Sequence, residues 1–219
     1  MDPAAIALLV AAGAAALVDW WAVAGDRFQV ESAAKPLTMA LLVGVAATTG
    51  SPSMSVRVLL VAGALFGVVG DVALLGATEA RFMVGLAAFA AGHLGYTAAA
   101  LRVGMSTWAL VGVAVMAMLL AYRFATRIVP GARREGGPVL AGAVVFYGAV
   151  ISAMVVAAWG VASGGGAAWL AGVGAVLFAI SDWVLGHTRF AGPLPGGRLA
   201  VMVPYHTGQA MLLVGVALA

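Results

Sequence analysis

Long, continuously apolar runs separated by short polar breaks dominate the chain. A helix that spans a membrane needs about 20 apolar residues. Eight runs are candidates for such spans, at residues 4–25, 36–51, 57–77, 81–101, 105–123, 138–161, 167–187 and 199–219. Their apolar residues are continuous rather than alternating, which excludes membrane-spanning strands. The pattern predicts an all-α integral membrane protein, whose single domain, residues 1–219, is a bundle of eight transmembrane helices.

Composition supports this class and excludes others. The 219 residues are 64% hydrophobic and 9% charged, whereas a soluble domain has about 25% charged residues. Soluble and disordered classes are therefore excluded. The chain has no cysteine, so a disulfide framework, a thiolate metal site and a cysteine nucleophile are excluded as well. The first apolar run has no basic segment before it, which favours a first span over a signal peptide.

Basic residues concentrate on one side of the predicted bundle. The breaks after the first, third, fifth and seventh runs hold nine Lys and Arg residues, against Arg57 and Arg102 on the other side. Positive charge accumulates in cytoplasmic loops. We therefore expect a multi-pass protein of the cell membrane with both termini outside the cytoplasm. The net charge of +3 then indicates membrane topology rather than nucleic-acid binding.

Polar residues inside the apolar runs are the functional candidates, because an ionisable group at bilayer depth is costly. They are Asp71 and Asp182, His93 and Tyr96, Tyr205, His206 and Gln209, with Lys35 at the mouth of the second run. For Asp19, beside Trp20, a structural role is favoured, and His187 is expected at the membrane interface. A rise of 1.5 Å per residue places most of them in one layer near the cytoplasmic side. The layer indicates a water-accessible pocket in that half of the membrane.

A weak internal repetition involves two of these residues. Gly70-Asp71-x-x-Leu74 resembles Ser181-Asp182-x-x-Leu185, and a histidine follows each aspartate after 22 and 24 residues. The two runs have the same predicted direction, so the pattern suggests a parallel duplication of four helices plus four. Gly63-x-x-x-Gly67 is predicted to be a close-packing helix face.

Several catalytic classes lack their motifs. The chain has no Gly-x-Ser-x-Gly, no His-Glu-x-x-His and no phosphate-binding glycine loop, and its single lysine is wrongly placed for a retinal Schiff base. Carboxylates, histidines and tyrosines remain. They are compatible with acid/base catalysis, a metal site or a substrate pathway.

Five strings, in order, carry a family resemblance. They are Lys35-Pro36-Leu37-Thr38, Leu65-Phe66-x-x-x-Gly70-Asp71-x-x-Leu74-Leu75, Gly92-His93-Leu94-x-Tyr96, Leu177-Phe178-Ala179-Ile180-Ser181-Asp182 and Tyr205-His206-Thr207-Gly208-Gln209. They resemble the lysoplasmalogenase family (YhhN/TMEM86-like) of multi-pass membrane proteins.

The resemblance implies an ether hydrolase that cleaves the vinyl ether bond of a membrane lipid, a lysoplasmalogen, without a cofactor or metal. Asp71 and Asp182 would be the acid/base pair, as carboxyl pairs are in glycosidases. His93, Tyr96, Tyr205, His206 and Gln209 would orient water or head-group oxygens. Lys35 would meet the substrate phosphate.

Two other functions are compatible with the same residues. Asp71, His93, Asp182 and His206 could hold a zinc ion in a metal-assisted lipid hydrolase. The carboxyl groups could instead relay protons in a small transporter or lipid-binding protein.

Overall fold

The computed structural model shows a chain that is helical along almost its whole length. It describes the backbone of all 219 residues and the side chains of all except residues 120–122. The helices are α1 (Pro3–Ala24), α2 (Phe28–Thr48), α3 (Met54–Leu74), α4 (Glu79–Val103), α5 (Ala109–Leu119), a π-helical segment (Leu120–Ile128), α6 (Val129–Val161), a short 3₁₀ turn (Ala162–Gly164), α7 (Trp169–Phe190) and α8 (Leu199–Ala217). Over these described positions no strand occurs, so the all-α prediction is confirmed.

Seven helical segments among the described residues are long and apolar enough to cross a membrane. One of them, Ala109–Gly164, is 56 residues long and contains the sixth predicted span and most of the fifth. Within it α5 and α6 run antiparallel, because Gly112 lies against the backbone of Val156 and Phe124 lies against Gly148. The count of eight spans and the position of the termini stay predictions.

The long helical segment changes direction at two glycines. Gly136 and Gly137 have non-helical backbone angles, and Gly137 has a φ of +69°, which favours glycine because it has no Cβ. Pro138 follows and cannot donate a helical hydrogen bond. The predicted start of the sixth span at residue 138 therefore coincides with a real break in the helix.

The second helix differs from its prediction. We expected a span from residue 36, with Lys35 in a polar break, but α2 begins at Phe28 and Lys35 lies inside it with only 5% of its surface exposed. Glu31, also buried in α2, forms an ion pair with Arg198. Partners on other helices thus allow charged residues to lie within a span. The placement of Lys35 at the mouth of the second helix is wrong.

In two pairs of helices, α3 with α4 and α7 with α8, the two partners approach each other closely at glycines. In the α3/α4 pair, Gly63 faces the ring of Tyr96 and the carbonyl oxygen of Gly92. In the α7/α8 pair, Gly174 faces the carbonyl oxygen of Gly208 and the backbone nitrogen of Leu212. Small residues permit such contacts in lipid, where little hydrophobic force drives helices together. They hold the helices that carry most of the candidate residues.

The glycines extend the internal repetition. Gly63 and Gly174 each precede an aspartate, Asp71 or Asp182, by eight residues. Gly63 also lies against Gly95, two residues after His93, just as Gly174 lies against Gly208, two residues after His206. Equivalent positions therefore make equivalent contacts. This supports the duplication that the sequence suggests, and Gly63 confirms the predicted close-packing face, whose second glycine, Gly67, lies against Met39 and Gln209.

We expect Gly174→Ala to destabilise the protein by about 1–3 kcal/mol, because the added methyl group would meet the backbone of α8. The measurement is thermal unfolding of the purified protein in one detergent. Gly142→Ala is the matched control, since a methyl group added at that helical glycine would meet no atom within 4 Å. Equal melting temperatures for the two variants would contradict the prediction.

Candidate active site

His93, Tyr147 and Asp182 form one hydrogen-bonded cluster, the Asp182 group. Tyr147 Oη donates to Asp182 Oδ2 over 2.5 Å. His93 Nε2 lies 2.9 Å from Tyr147 Oη and 3.4 Å from Asp182 Oδ2. Because the hydroxyl proton of Tyr147 is directed to Asp182, Nε2 of His93 is the donor to Tyr147 Oη. The three side chains therefore form a continuous path for a proton between α4, α6 and α7.

Aromatic packing holds this cluster in place. The ring of His93 packs edge-on against Phe178, with 4.7 Å between centroids, and lies 5.3 Å from the ring of Tyr147. Phe178 lies one helical turn before Asp182 on α7. His93 is fully buried, whereas 14% of the Asp182 side chain is exposed. Asp182 and Tyr147, which is also only partly buried, are thus the members of the group that a bound molecule can reach.

Lys35, Asp71 and Tyr205 form a second cluster, the Asp71 group. Lys35 Nζ lies 3.4 Å from Asp71 Oδ1, and Tyr205 Oη donates to Asp71 Oδ2 over 2.9 Å. Asp71 is fully buried. Tyr96 and Gln209 are neighbours beside this group, and neither makes a side-chain hydrogen bond of good geometry. Five of the predicted residues thus lie together where α2, α3, α4 and α8 meet.

The Asp71 group changes the role predicted for Lys35. Its ammonium group is turned to Asp71 inside the bundle, and both side chains are almost completely buried. A buried charge without a partner is strongly destabilising. Lys35 therefore balances the charge of Asp71, and the predicted contact with a substrate phosphate has no support in this geometry.

Asp19, Trp20 and His206 form the third cluster, the His206 group. Trp20 Nε1 donates to His206 Nδ1 over 3.2 Å, so the neutral imidazole carries its proton on Nε2. Asp19 is fully buried, with Oδ2 3.9 Å from the same Nδ1. Trp20 and His206 line an apolar cavity between α1, α2 and α8. His206 is therefore separate from both the Asp71 and the Asp182 groups.

Aromatic rings separate the two central aspartates. The ring of Tyr205 packs against Phe89 and Phe178, with centroids 5.8 and 5.4 Å apart, and Phe178 in turn contacts His93. Asp71 and Asp182 thus belong to different polar clusters. The four zinc candidates, Asp71, His93, Asp182 and His206, are divided among all three clusters. Among the side chains that the structure describes, no three acidic or histidine residues converge as metal ligands.

Asp182 lies in the wall of an apolar cavity. The cavity lies between α3, α4, α5, α6, α7 and the π-helical segment. Its lining is aliphatic and aromatic, and Tyr147 and Asp182 supply its ionisable groups among the described side chains. An apolar lining with a few polar groups directed into the cavity is typical of a ligand pocket.

Comparison with known proteins identifies the family. The sequence model described as the YhhN family matches residues 30–216. The chain belongs to the YhhN family. Nearly all of the candidate residues lie within the matched part, and Asp19 and Trp20 lie before it.

Curated relatives of this YhhN-family chain carry enzyme names. It is 33% identical over 163 residues to human "Lysoplasmalogenase TMEM86B", covering 74% of this chain and 65% of that protein. It is 34% identical over 154 residues to the pig protein of the same name, covering 70% and 61%. Human "Lysoplasmalogenase TMEM86A" is 31% identical over 159 residues, covering 68% and 61%. The match thus spans less than two thirds of each relative. No solved structure matches the chain.

Sequence reasoning missed two contributors to the clusters of this YhhN-family protein. Tyr147 lies in the middle of a predicted span, the same signal that selected Tyr96 and Tyr205, and it contacts both His93 and Asp182. Trp20 entered the sequence analysis only as the neighbour of Asp19, yet it donates to His206. Tyr147 could have been found from its depth in the sixth predicted span, whereas finding Trp20 requires knowing which face of α1 turns inward.

We expect Lys35→Met to destabilise the protein by about 3–5 kcal/mol, because Asp71 remains buried without its cation. The double variant Lys35→Met/Asp71→Asn should recover much of this loss, since no buried charge is left. Thermal unfolding in one detergent measures both effects. Arg102→Met, which removes an exposed cation from α4, is the control. Additive losses in the double variant would contradict the ion-pair interpretation.

Proposed function

We propose that the protein hydrolyses the vinyl ether bond of a lysoplasmalogen that it takes from the membrane. The family and the names of the relatives support this class of reaction. The observation that carries the proposal is the carboxyl group of Asp182 in the wall of the apolar cavity. A lysoplasmalogen has a single hydrocarbon chain, which suits an apolar cavity between membrane-spanning helices.

The reaction requires an acid and a base. A proton is added to the alkene carbon that is not bonded to oxygen, which leaves an oxocarbenium ion. Water adds to this ion and loses a proton, and the resulting hemiacetal collapses to a fatty aldehyde and a glycerophosphoethanolamine or glycerophosphocholine. Paired carboxyl groups divide the same work in glycosidases, whose transition states resemble an oxocarbenium ion.

Asp182 is the proposed proton donor, because it alone of the two aspartates lines the cavity. Its Oδ2 is occupied by Tyr147, which leaves Oδ1 for the substrate. His93 and Tyr147 hold this carboxyl group in position, and over one turnover the proton that Asp182 gives to the alkene is replaced by the one that the added water releases. General acid catalysis by such a positioned group contributes a factor of about 10²–10⁴ to the rate.

Asp71 is the proposed base, and because it does not line the cavity, the proposal includes a water that lies between the Asp71 group and the substrate. Lys35 balances its negative charge, and its contact with Tyr205 links it to the aromatic wall that faces the Asp182 group. Tyr205, Tyr96 and Gln209 are proposed to orient the attacking water. His206, in its own cluster, is proposed to support α8 at the height of Tyr205.

We expect purified protein in detergent to release fatty aldehyde from a lysoplasmalogen and no fatty acid from the matched acyl lysophospholipid. Asp182→Asn and Asp71→Asn should each reduce kcat at least about 100-fold, because each removes one proton-transferring group. Glu79→Gln, at an exposed carboxylate of α4, should retain activity. The stability of each variant is checked by thermal unfolding.

The outcomes of this assay separate the alternatives. Full activity of Asp182→Asn would refute its role as the acid. Fatty acid released from the acyl lipid would keep a hydrolase but change the bond that it cleaves. Loss of aldehyde release on treatment with a chelator, with metal found in the active protein, would favour metal-assisted hydrolysis.

A proton-coupled transporter is the second candidate function. It is favoured by carboxyl groups within spanning helices, among them Asp19, Asp71 and Asp182, because acids of this kind serve as proton relays in transporters. Flux that depends on a pH gradient in liposomes, with no chemical product, would support it over the hydrolase.

A further inference from the structure

Asp19 is a buried carboxyl group whose charge no contact accounts for. It is fully buried, and its two carboxyl oxygens have no hydrogen-bond partner among the groups that the structure describes. Nδ1 of His206, 3.9 Å from Asp19 Oδ2, already accepts from Trp20, so this neutral imidazole gives Asp19 neither a hydrogen bond nor a positive charge. A carboxylate buried without a partner is strongly destabilising. Another group must therefore compensate Asp19.

Lys35 lies at a similar height on the neighbouring helix. α1 and α2 are antiparallel, because Leu8 near the start of α1 lies against Gly44 near the end of α2. Asp19 precedes the end of α1 by five residues and Lys35 follows the start of α2 by seven, which places them about 7.5 and 10.5 Å along their helices from the intervening loop. Lys35 is close enough for its charge to act on Asp19.

The same lysine already has a partner in Asp71, whose Oδ1 lies 3.4 Å from Lys35 Nζ. The charges of Asp71 and Asp19 also act on each other. Glu31 and Arg198, which lie close to Asp19 as well, form an ion pair with each other. Among the side chains that the structure describes here, Lys35 is thus the cation that two buried carboxyl groups have in common.

The charges of these three residues balance only if one proton is present. Two carboxylates and one ammonium group would leave a negative charge uncompensated inside the bundle. Two carboxyl groups in one site commonly avoid this by holding a single proton between them. Asp71 receives contacts from Lys35 and from the hydroxyl group of Tyr205, whereas Asp19 receives neither. The negative charge is therefore best placed on Asp71 and the proton on Asp19.

We propose that Asp19 and Asp71 share one proton and one counter-ion, Lys35, so that either carboxyl group can balance the lysine. In the resting protein Asp19 holds the proton and Asp71 is ionised, which is the form that a base requires. The four-carbon stem of Lys35 lets its ammonium group turn to Asp19 when Asp71 carries no charge. The proposal concerns the unreacted protein and does not depend on hydrolysis.

Infrared spectroscopy tests the shared proton directly, through the C=O stretching absorbance of protonated carboxyl groups. The purified protein is measured in a detergent without ester or carboxyl groups. Asp19→Asn should lose the absorbance of one protonated carboxyl group. Asp71→Asn should lose the same amount, because Asp19 then gives up its proton to balance Lys35. Asp26→Asn is the matched control, since it removes an exposed carboxyl group from the loop between α1 and α2 and should lose none.

Two results of this measurement would overturn the proposal. A loss in Asp19→Asn alone would mean that the proton of Asp19 is independent of Asp71 and Lys35. No loss in either variant would mean that both carboxyl groups are ionised. A role of Asp19 in packing alone predicts no effect of Asp71→Asn on this absorbance.

Thermal unfolding in one detergent tests the shared counter-ion. Asp19→Asn and Asp71→Asn should each lower the melting temperature only slightly, because one carboxylate still balances Lys35. The double variant leaves the lysine buried without a counter-ion, and its melting temperature should fall by much more than the sum of the two single losses. Adding Lys35→Met to the double variant removes that charge and should recover most of the loss.

Additive losses in the double variant would overturn the proposal, and so would a triple variant no more stable than the double. If the double variant fails to fold, recovery of folded protein in the triple variant supports the shared counter-ion, and failure to recover it overturns the proposal.

The shared proton and the hydrolase fail separately. Aldehyde release by a protein whose aspartate variants show additive losses and unequal infrared changes would refute the sharing and leave hydrolysis intact. Equal infrared losses in a protein that releases no aldehyde would support the sharing and refute the hydrolase.

Discussion

The structure depends most on the buried contact between Lys35 and Asp71. A charge within the bilayer is tolerated only beside its opposite or in contact with water, and here the lysine of α2 and the aspartate of α3 meet while both are almost fully buried. Tyr205 adds a hydrogen bond from α8 to the same carboxyl group. One aspartate therefore joins α2 and α3, which follow each other in the chain, to α8, which is distant from both in sequence. The ion pair between Glu31 and Arg198 reinforces the junction of α2 with α8 nearer the helix ends.

The two halves of the chain provide their aspartates with different partners. Lys35 on α2 contacts Asp71 on α3, and Tyr147 on α6 contacts Asp182 on α7, so the helix before each aspartate supplies the contact. One contact is a cation and the other is a phenol joined to an imidazole. Similar positions with unlike partners give two carboxyl groups of unlike character, which suits the proposed pair of acid and base.

Most of the fold and much of the site could be predicted from the sequence, because a membrane imposes simple rules. Apolar runs revealed the helices, and polar residues within them revealed Asp71, His93, Asp182 and Tyr205. The start of α2 was wrong because Glu31, Lys35 and Pro36 resemble a loop until their partners on α3 and α8 are known. Hydropathy likewise gives the depth of a residue but not the direction of its side chain. It therefore could not show that Asp71 and Asp182 lie in separate clusters or that Tyr147 joins one of them.

The glycines between α3 and α4 and between α7 and α8 limit how the bundle can move. Backbone atoms meet at Gly63 and Gly174, so neither pair of helices can slide or part without losing its closest contact. A slip of one residue would shift a side chain by about 1.5 Å along the axis, enough to break the hydrogen bond between Tyr205 and Asp71. Gly63 and Gly174, which have no side chains, therefore fix the positions of the helices that carry the polar clusters. A lipid that reaches the cavity from the bilayer must pass between helices other than these two pairs.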